Sequence, residues 1–186
     1  MSNAHEIMRA YKEHEIIMAL DASSNAVGWG ECYCDGPTIM SVVGGLIRPK
    51  KRRAAAMDRI DSMVEQLLEL LDERTEVQGP PSTIVVEIPS GKTHRRLKSK
   101  NPHGLAIYGM AVGAVRQACH QWDYGVEIVD VDANEWTGGG RKASRVKIAL
   151  ALAPSYAQLL SIDKGRDASD GICLAHWYAR RRTTAA

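Results

Sequence analysis

No apolar run in this sequence approaches the roughly 20 residues a helix needs to span a bilayer, so neither a transmembrane anchor nor a membrane partner is expected. The first 15 residues are polar and hold no signal-peptide apolar region; Ser2-Asn3-Ala4 has the look of an expression remnant, and residues 1–15 are set aside as a tail. Also missing is any C-x-x-C pair. Cys32, Cys34, Cys119 and Cys173 lack the second ligand pair of a zinc site, which leaves free thiols in a reducing cytosol. Excess charge is absent too: the formal net charge is +2, so the total says nothing about partners. Internal repeats and low-complexity stretches are lacking, and 186 residues bury one sizeable core but not two. Residues 16–182 are therefore read as one domain, with 183–186 a short tail.

What the total charge hides, its distribution shows. Arg48, Lys50, Lys51, Arg52 and Arg53 form one basic cluster, residues 92–100 a second, and Arg180, Arg181 and Arg182 a third. Clustered positive charge on a near-neutral chain is the footprint of phosphate contacts, against the plainer alternative of solvated loops.

Hydrophobic patterning divides the domain into strands and helices. Residues 16–20 are a compact apolar run ending at Asp21, which reads as a buried strand. Residues 27–34 alternate, with Val27, Trp29, Glu31 and Tyr33 on one side and Gly28 and Gly30 on the other. Asp35-Gly36-Pro37 is a turn, and 39–47 a third strand, so the first three strands form an antiparallel meander. Over 54–71 the period changes: Met57, Ile60, Val64, Leu67 and Leu71 follow helical spacing. Gly79-Pro80-Pro81 ends that helix, and 83–87 is a short β-branched strand. A basic loop (90–103), a helix (104–122), a strand (126–131), a helix (143–152) and a last helix (167–181) follow. Strands followed by alternating helix and strand give an α/β sheet with an antiparallel and a parallel section.

Two carboxylates close strands. Asp21 ends the first, and Glu87 ends the fourth within Ile84-Val85-Val86-Glu87-Ile88. A charge closing a buried strand is costly unless it is paired or binds a metal; if the two strands are neighbours, the carboxylates meet. Asp167 and Asp170, three apart, share one helix face in the first turn, where the helix dipole favours negative charge. Asp167 as a simple helix cap is the competing explanation. Four carboxylates make an oxygen-rich pocket of the type that suits Mg²⁺ or Mn²⁺ and not zinc.

In order along the chain, these segments resemble the RuvC-type Holliday-junction resolvases of the ribonuclease H-like superfamily. Leu20-Asp21-Ala22-Ser23-Ser24-Asn25-Ala26-Val27-Gly28-Trp29-Gly30 is similar to the family's first strand and its entry into the second. Val85-Val86-Glu87 is similar to its glutamate-bearing fourth strand, and Asp167-Ala168-Ser169-Asp170-Gly171-Ile172-Cys173-Leu174-Ala175 to its closing helix. Asn134-Glu135-Trp136 with residues 138–147 resembles the segment before the penultimate helix. The likeness spans residues 16–180, and a phage-type variant fits its short loops. The resemblance implies a ribonuclease H-like fold, a five-stranded mixed sheet of order 3-2-1-4-5 flanked by helices. It also implies two Mg²⁺ ions (or Mn²⁺) held by Asp21, Glu87, Asp167 and Asp170, and a homodimer making paired cuts in a four-way DNA junction. The compartment implied is the cytoplasm of a bacterium or of a phage-infected cell, with an organelle as the other option.

DNA contacts are expected from Arg48, Lys50, Lys51, Arg52, Arg53, Lys92, Arg95, Arg96, Lys98, Lys100, Arg141, Lys142 and Lys147, with Lys142 or Lys147 nearest the scissile phosphate. No small-molecule cofactor is expected. His14, His94, His103, His120 and His176 are scattered, and none is assigned as a base. The chain departs from the family after Glu87. Bacterial resolvases carry a wedging aromatic there, whereas this chain has Ile88-Pro89-Ser90-Gly91 and no phenylalanine anywhere. Weak sequence preference is the consequence expected, since phosphate contacts carry little sequence information. In residues 104–122, Ala106, Gly109, Gly113, Ala114 and Ala118 permit close helix approach, to the core as readily as to a second subunit. The rival readings are a ribonuclease H-like enzyme acting on RNA–DNA hybrid or linear duplex, with Glu65 or Glu69 as its helix-borne glutamate, and an inactive junction-binding protein.

Overall fold

The structure is a computed structural model that describes residues 14–89, 102–122, 124–138 and 140–185. Its centre is a sheet of five strands in the order β3-β2-β1-β4-β5. Strands β1 (Glu15–Ala22), β2 (Val27–Asp35) and β3 (Thr38–Ile47) form the expected antiparallel meander. Strand β4 (Thr83–Ile88) lies parallel to β1, and β5 (Glu127–Asp132) parallel to β4. Helix α1 (Ala56–Gln78) connects the two sections and α2 (Pro102–Gln121) joins β4 to β5. The chain then forms α3 (Ala133–Thr137), α4 (Lys142–Leu152), a 3₁₀ segment (Pro154–Leu159) and α5 (Asp167–Ala185). The order and the directions match those expected from the sequence. The short α3 and the 3₁₀ segment do not appear in the hydrophobic pattern.

Both faces of the sheet are covered, which is why 16–20 is continuously apolar rather than alternating. Met18, Leu20, Ile84 and Val86 point to a core completed by Ile60, Met63, Leu67 and Leu71 of α1 and by Ala111, Val112 and Val115 of α2. Ile17, Ala19 and Val85 point the other way, to Ala168, Ile172 and Ala175 of α5 and to Ala149 of α4. With a side-chain period of two, Asp21 follows Ala19 and Glu87 follows Val85 onto the α5 face. The strand pattern thus aims both carboxylates at one helix.

That helix sits unusually close. A Cβ added to Gly28 would lie 1.8 Å from the Asp167 carbonyl oxygen, and one on Gly30 2.6 Å from that of Gly171. From the helix side, a Cβ on Gly171 would lie 2.8 Å from the Gly28 carbonyl carbon. Only glycines let the backbones of β2 and α5 touch, and this contact sets the height of Asp167 and Asp170 above the sheet.

Helix α1 runs on to Gln78, two turns past the apolar positions that announced it. Those turns carry Arg74 and Gln78, which reach Glu31, a fully buried carboxylate on β2. Arg74 Nε donates to Glu31 at 2.9 Å, Gln78 Nε2 at 3.1 Å and the Tyr33 hydroxyl at 3.1 Å. Among the described residues, no helix is long and apolar enough to cross a membrane. All four cysteines are buried free thiols.

Candidate active site

The parallel pairing of β1 and β4 runs through Leu20 and Val86, so Asp21 and Glu87 stand side by side one residue further on. Asp21 is 7% exposed and Asp170 3%, while Glu87 and Asp167 are half-buried. The four expected carboxylates therefore share one region, where the ends of β1 and β4 meet the start of α5.

Their electrostatics are those of a site with surplus negative charge. Burial raises Asp21 well above the ordinary carboxyl range, and Glu87, Asp170 and Asp167 push it the same way. Burial lifts Glu87 from 4.5 to about 7, with the Asp170 charge adding to it and the Trp136 hydrogen bond opposing it. Asp167 rises from 3.8 to about 6, again chiefly by burial, against the pull of Lys142 and Arg48. Lys142 is the opposite case. Burial acts against its charge, but Asp170, Asp21 and Asp167 together outweigh it and hold the ammonium above its usual value.

Several partners are invisible to motif reading. Arg145 grips Asp170 with two hydrogen bonds, Nε at 2.5 Å and Nη2 at 3.2 Å, and Lys142 Nζ lies 3.3 Å from the same carboxylate. The Trp136 indole donates to Glu87 at 2.6 Å, and the Arg145 guanidinium stands 5.3 Å from the Trp136 ring. Tyr108 of α2 has its hydroxyl held protonated, first by burial and then by the charges of Glu87, Asp21 and Asp167. Asp167 does not supply its helix cap: the buried Asp163 accepts the Asp167 backbone N–H at 2.9 Å, and the buried Tyr156 hydroxyl donates to Asp163 at 2.8 Å. The capping role considered for Asp167 belongs to Asp163, which frees the Asp167 side chain. Trp136 sits in a segment that the family resemblance already marked. Arg145 lies in the 138–147 stretch marked by the same resemblance without being singled out there, and Asp163 and Tyr108 carried no signal of their own.

The donor set is all oxygen, and its charge exceeds what Lys142 and Arg145 offset; hard divalent cations suit such a set. Among the described residues, no three carboxylate, imidazole or thiol groups are drawn together as a finished cage. The reason is visible in the contacts, since Asp170 is turned to Arg145 and Glu87 to Trp136. The residues fit the metal in ligand type and charge, with Asp170 needing to share its oxygens with Arg145.

The expected DNA-contacting residues separate into groups. Lys142 reaches the carboxylates, whereas Lys147, five residues on and about 140° around the helix, is exposed. Arg48 is half-buried and donates to the Ile162 carbonyl; Lys51, Arg52, Arg53 and Arg141 are exposed, and Lys50 lies 3.9 Å from Glu65. Lys92, Arg95, Arg96, Lys98 and Lys100 lie outside the described residues. The third basic cluster is engaged within the fold. Arg181 pairs with Glu135, and Arg182 with Glu15 at 2.7 Å. On α2, a Cβ at Gly109 or Gly113 would meet nothing within 4 Å among the described residues, so these glycines do not serve close packing among those residues.

No family model matches the sequence, and no curated protein does. Solved structures do match. Thermus thermophilus RuvC in complex with a Holliday junction substrate superposes with a TM-score of 0.61 at 17% identity, covering 91% of this chain and 98% of that one. A second Thermus thermophilus RuvC structure gives 0.59 at 16% identity, covering 90% and 97%. What is shared at such identity is architecture, and the chain has the ribonuclease H-like fold of RuvC.

Proposed function

We propose that this protein is a metal-dependent endonuclease of the RuvC type that cuts branched DNA, with the four-way junction as its substrate and paired cuts made by a homodimer. The observation that carries the reading is the meeting of Asp21, Glu87, Asp167 and Asp170 at one sheet end, in a fold whose solved neighbour holds a Holliday junction. When bound by these carboxylates, two ions of the Mg²⁺ class would supply water activation and Lewis-acid stabilisation of the leaving oxygen of a phosphodiester.

The chain's own contributions follow from its contacts. Arg145 and Trp136 orient Asp170 and Glu87, restricting the rotamers of groups that must be held to within a fraction of an ångström. Lys142, kept cationic by its acidic neighbours, presents positive charge where the scissile phosphate would lie. Asp163 and Tyr156 fix the first turn of α5, and the glycine contact with β2 fixes its height. Strand-borne Glu87 favours the resolvase over a ribonuclease H-like enzyme, whose glutamate would sit on the first helix. Glu65 and Glu69 point away from the buried face of α1 and do not face the carboxylates. The open outer face of α2, with exposed Leu105 and Met110 beside Gly109 and Gly113, supports association of two copies.

The test is cleavage of a synthetic four-way junction with Mg²⁺ by the wild type, Asp21→Asn and Glu87→Gln. Paired nicks by the wild type and a loss of at least about 10³-fold in either variant are expected. Junction binding without any cutting would remove the enzyme reading. Preference for linear hybrid or duplex would remove the resolvase reading and leave the nuclease.

A further inference from the structure

Next to Asp167 the surface folds into a cleft of about 430 Å³, bounded by the β1–β2 turn, the segment after β3 and the segment before α5. Four cations line it, Arg48, Arg52, Lys142 and Lys164, together with Asn25; Asp167 is its single acidic wall. Lys164 belongs to none of the basic clusters in the sequence. It reaches this place because the 160–166 segment packs against Arg48, whose guanidinium donates to the Ile162 carbonyl.

Of the four cations, Lys142 pairs with Asp170 at 3.3 Å, and the other three are not consumed by ion pairs in the fold. Among the described residues, no carboxylate forms an ion pair with Arg48, Arg52 or Lys164, in contrast to Arg181 and Arg182 in the third basic cluster. Among the described residues the Arg48 Nε is buried without a hydrogen-bond partner, while its Nη2 is held by a neutral acceptor, the Ile162 carbonyl. Arg48 also acts on Asp167 electrostatically, which places its charge within reach of the catalytic carboxylates. A concave surface with three cations outside ion pairs and one carboxylate, opening directly onto a metal-ligand candidate, is complementary to an anion of phosphate size and charge.

We infer that this cleft holds the phosphodiester next to the scissile one on the strand being cut, with Arg52 and Lys164 as its outer clamps and Arg48 as its fixed floor. The inference rests on the nuclease reading and adds to it a positioning site. Binding there would set which linkage lies over Asp21 and Glu87, independently of base sequence. It thereby takes over, through the backbone, part of the positioning that a wedging aromatic performs in relatives that have one.

Wild type, the double variant Arg52→Ala/Lys164→Ala, and Lys164→Arg are titrated in EDTA with two fluorescein-labelled probes, a six-nucleotide single strand and a four-way junction. Both residues are exposed, so the fold should survive their truncation. The double variant should bind both probes about ten-fold more weakly, and its salt dependence on the single strand should fall by about 0.7 log unit per contact removed. Lys164→Arg, which keeps the charge, should bind both probes as the wild type does. An uncharged methylphosphonate hexamer should bind the wild type at least as weakly as the natural hexamer binds the double variant, which keeps Arg48 and Lys142. In the junction, one methylphosphonate beside the mapped cut should weaken the wild type more than the double variant, which keeps only Arg48 and Lys142 in the cleft. Equal affinity of wild type and double variant for both probes overturns the cleft, whether or not the junction is cut. Cleft-dependent binding without cutting sustains the cleft and counts against the proposed enzyme alone.

Discussion

Strand β2 and its neighbour β1 carry buried carboxylates on opposite faces of one sheet, and the two are treated in opposite ways. Glu31, facing α1, is fully buried and enclosed by Arg74, Gln78 and Tyr33, so its lone pairs are met by a cation and two neutral donors. Asp21, facing α5, is surrounded mainly by other acids. The first arrangement is complete within the chain and holds α1 to β2. The second is incomplete, and that incompleteness is its functional mark. A fold tolerates surplus buried charge where something outside the chain supplies the counter-charge.

Removing Arg74 breaks the comparison most directly. Arg74→Ala leaves Glu31 buried without its cation, and we expect a loss of about 3 kcal/mol in unfolding free energy, read as a fall in urea midpoint. Replacing Glu31 and Arg74 together by leucine should recover much of it, because the stranded charge is then gone. Asp21→Asn, by contrast, should leave the chelated protein at least as stable as the wild type, since it deletes one member of a repelling group. A destabilised Asp21→Asn beside a tolerant Arg74→Ala would reverse the assignment of structural and functional acids.

The next effect concerns the contact that brings the two faces into register with α5. Gly28→Ala puts a methyl group 1.8 Å from the Asp167 carbonyl, and backbone cannot yield as a side-chain tip does. We expect a loss of about 1–3 kcal/mol, together with a fall in junction cleavage larger than stability explains, because Asp167 and Asp170 move off Asp21. Cleavage per folded molecule separates the two. An unchanged rate would mean that α5 carries no essential carboxylate.

Much of this was legible before any coordinates, for a physical reason. Period-two alternation and a continuous apolar run report which strands are buried on both faces, and so place Asp21 and Glu87 on one side. The three-residue spacing of Asp167 and Asp170 needs only helical geometry. What stayed hidden depends on how separate elements pack. Arg145 meets Asp170 across 25 residues, Trp136 meets Glu87 across 49, and neither spacing has a local signature. The last two turns of α1 were missed because Arg74 and Gln78 are polar, and polar residues that serve a buried acid look like exposed surface. Asp163, not Asp167, supplies the cap that competed with Asp167's ligand role, because the segment before α5 folds back through Tyr156, a contact no periodicity announces.

The smallest effect, and the sharpest test of the contrast, is in pH. Glu87 titrates near 7 and Asp167 near 6 in the fold, against 4.5 and 3.8 ordinarily, both mainly through burial. Below about pH 3 both groups are protonated in folded and unfolded chains alike, and they cost nothing. Between about pH 3 and 7 the unfolded chain releases protons that the folded chain retains, so these groups make stability fall as pH rises. Above that window the loss is complete, on the order of 1–3 kcal/mol for the half-buried Glu87. In chelator, the melting temperature should therefore be several degrees lower at pH 8 than at pH 5, with Glu87→Gln flattening part of that slope and Mg²⁺ at pH 8 reversing it. If Glu87→Gln melts with the wild-type pH dependence, the Asp21 group is not a store of surplus charge, and the distinction between the two faces of the sheet fails.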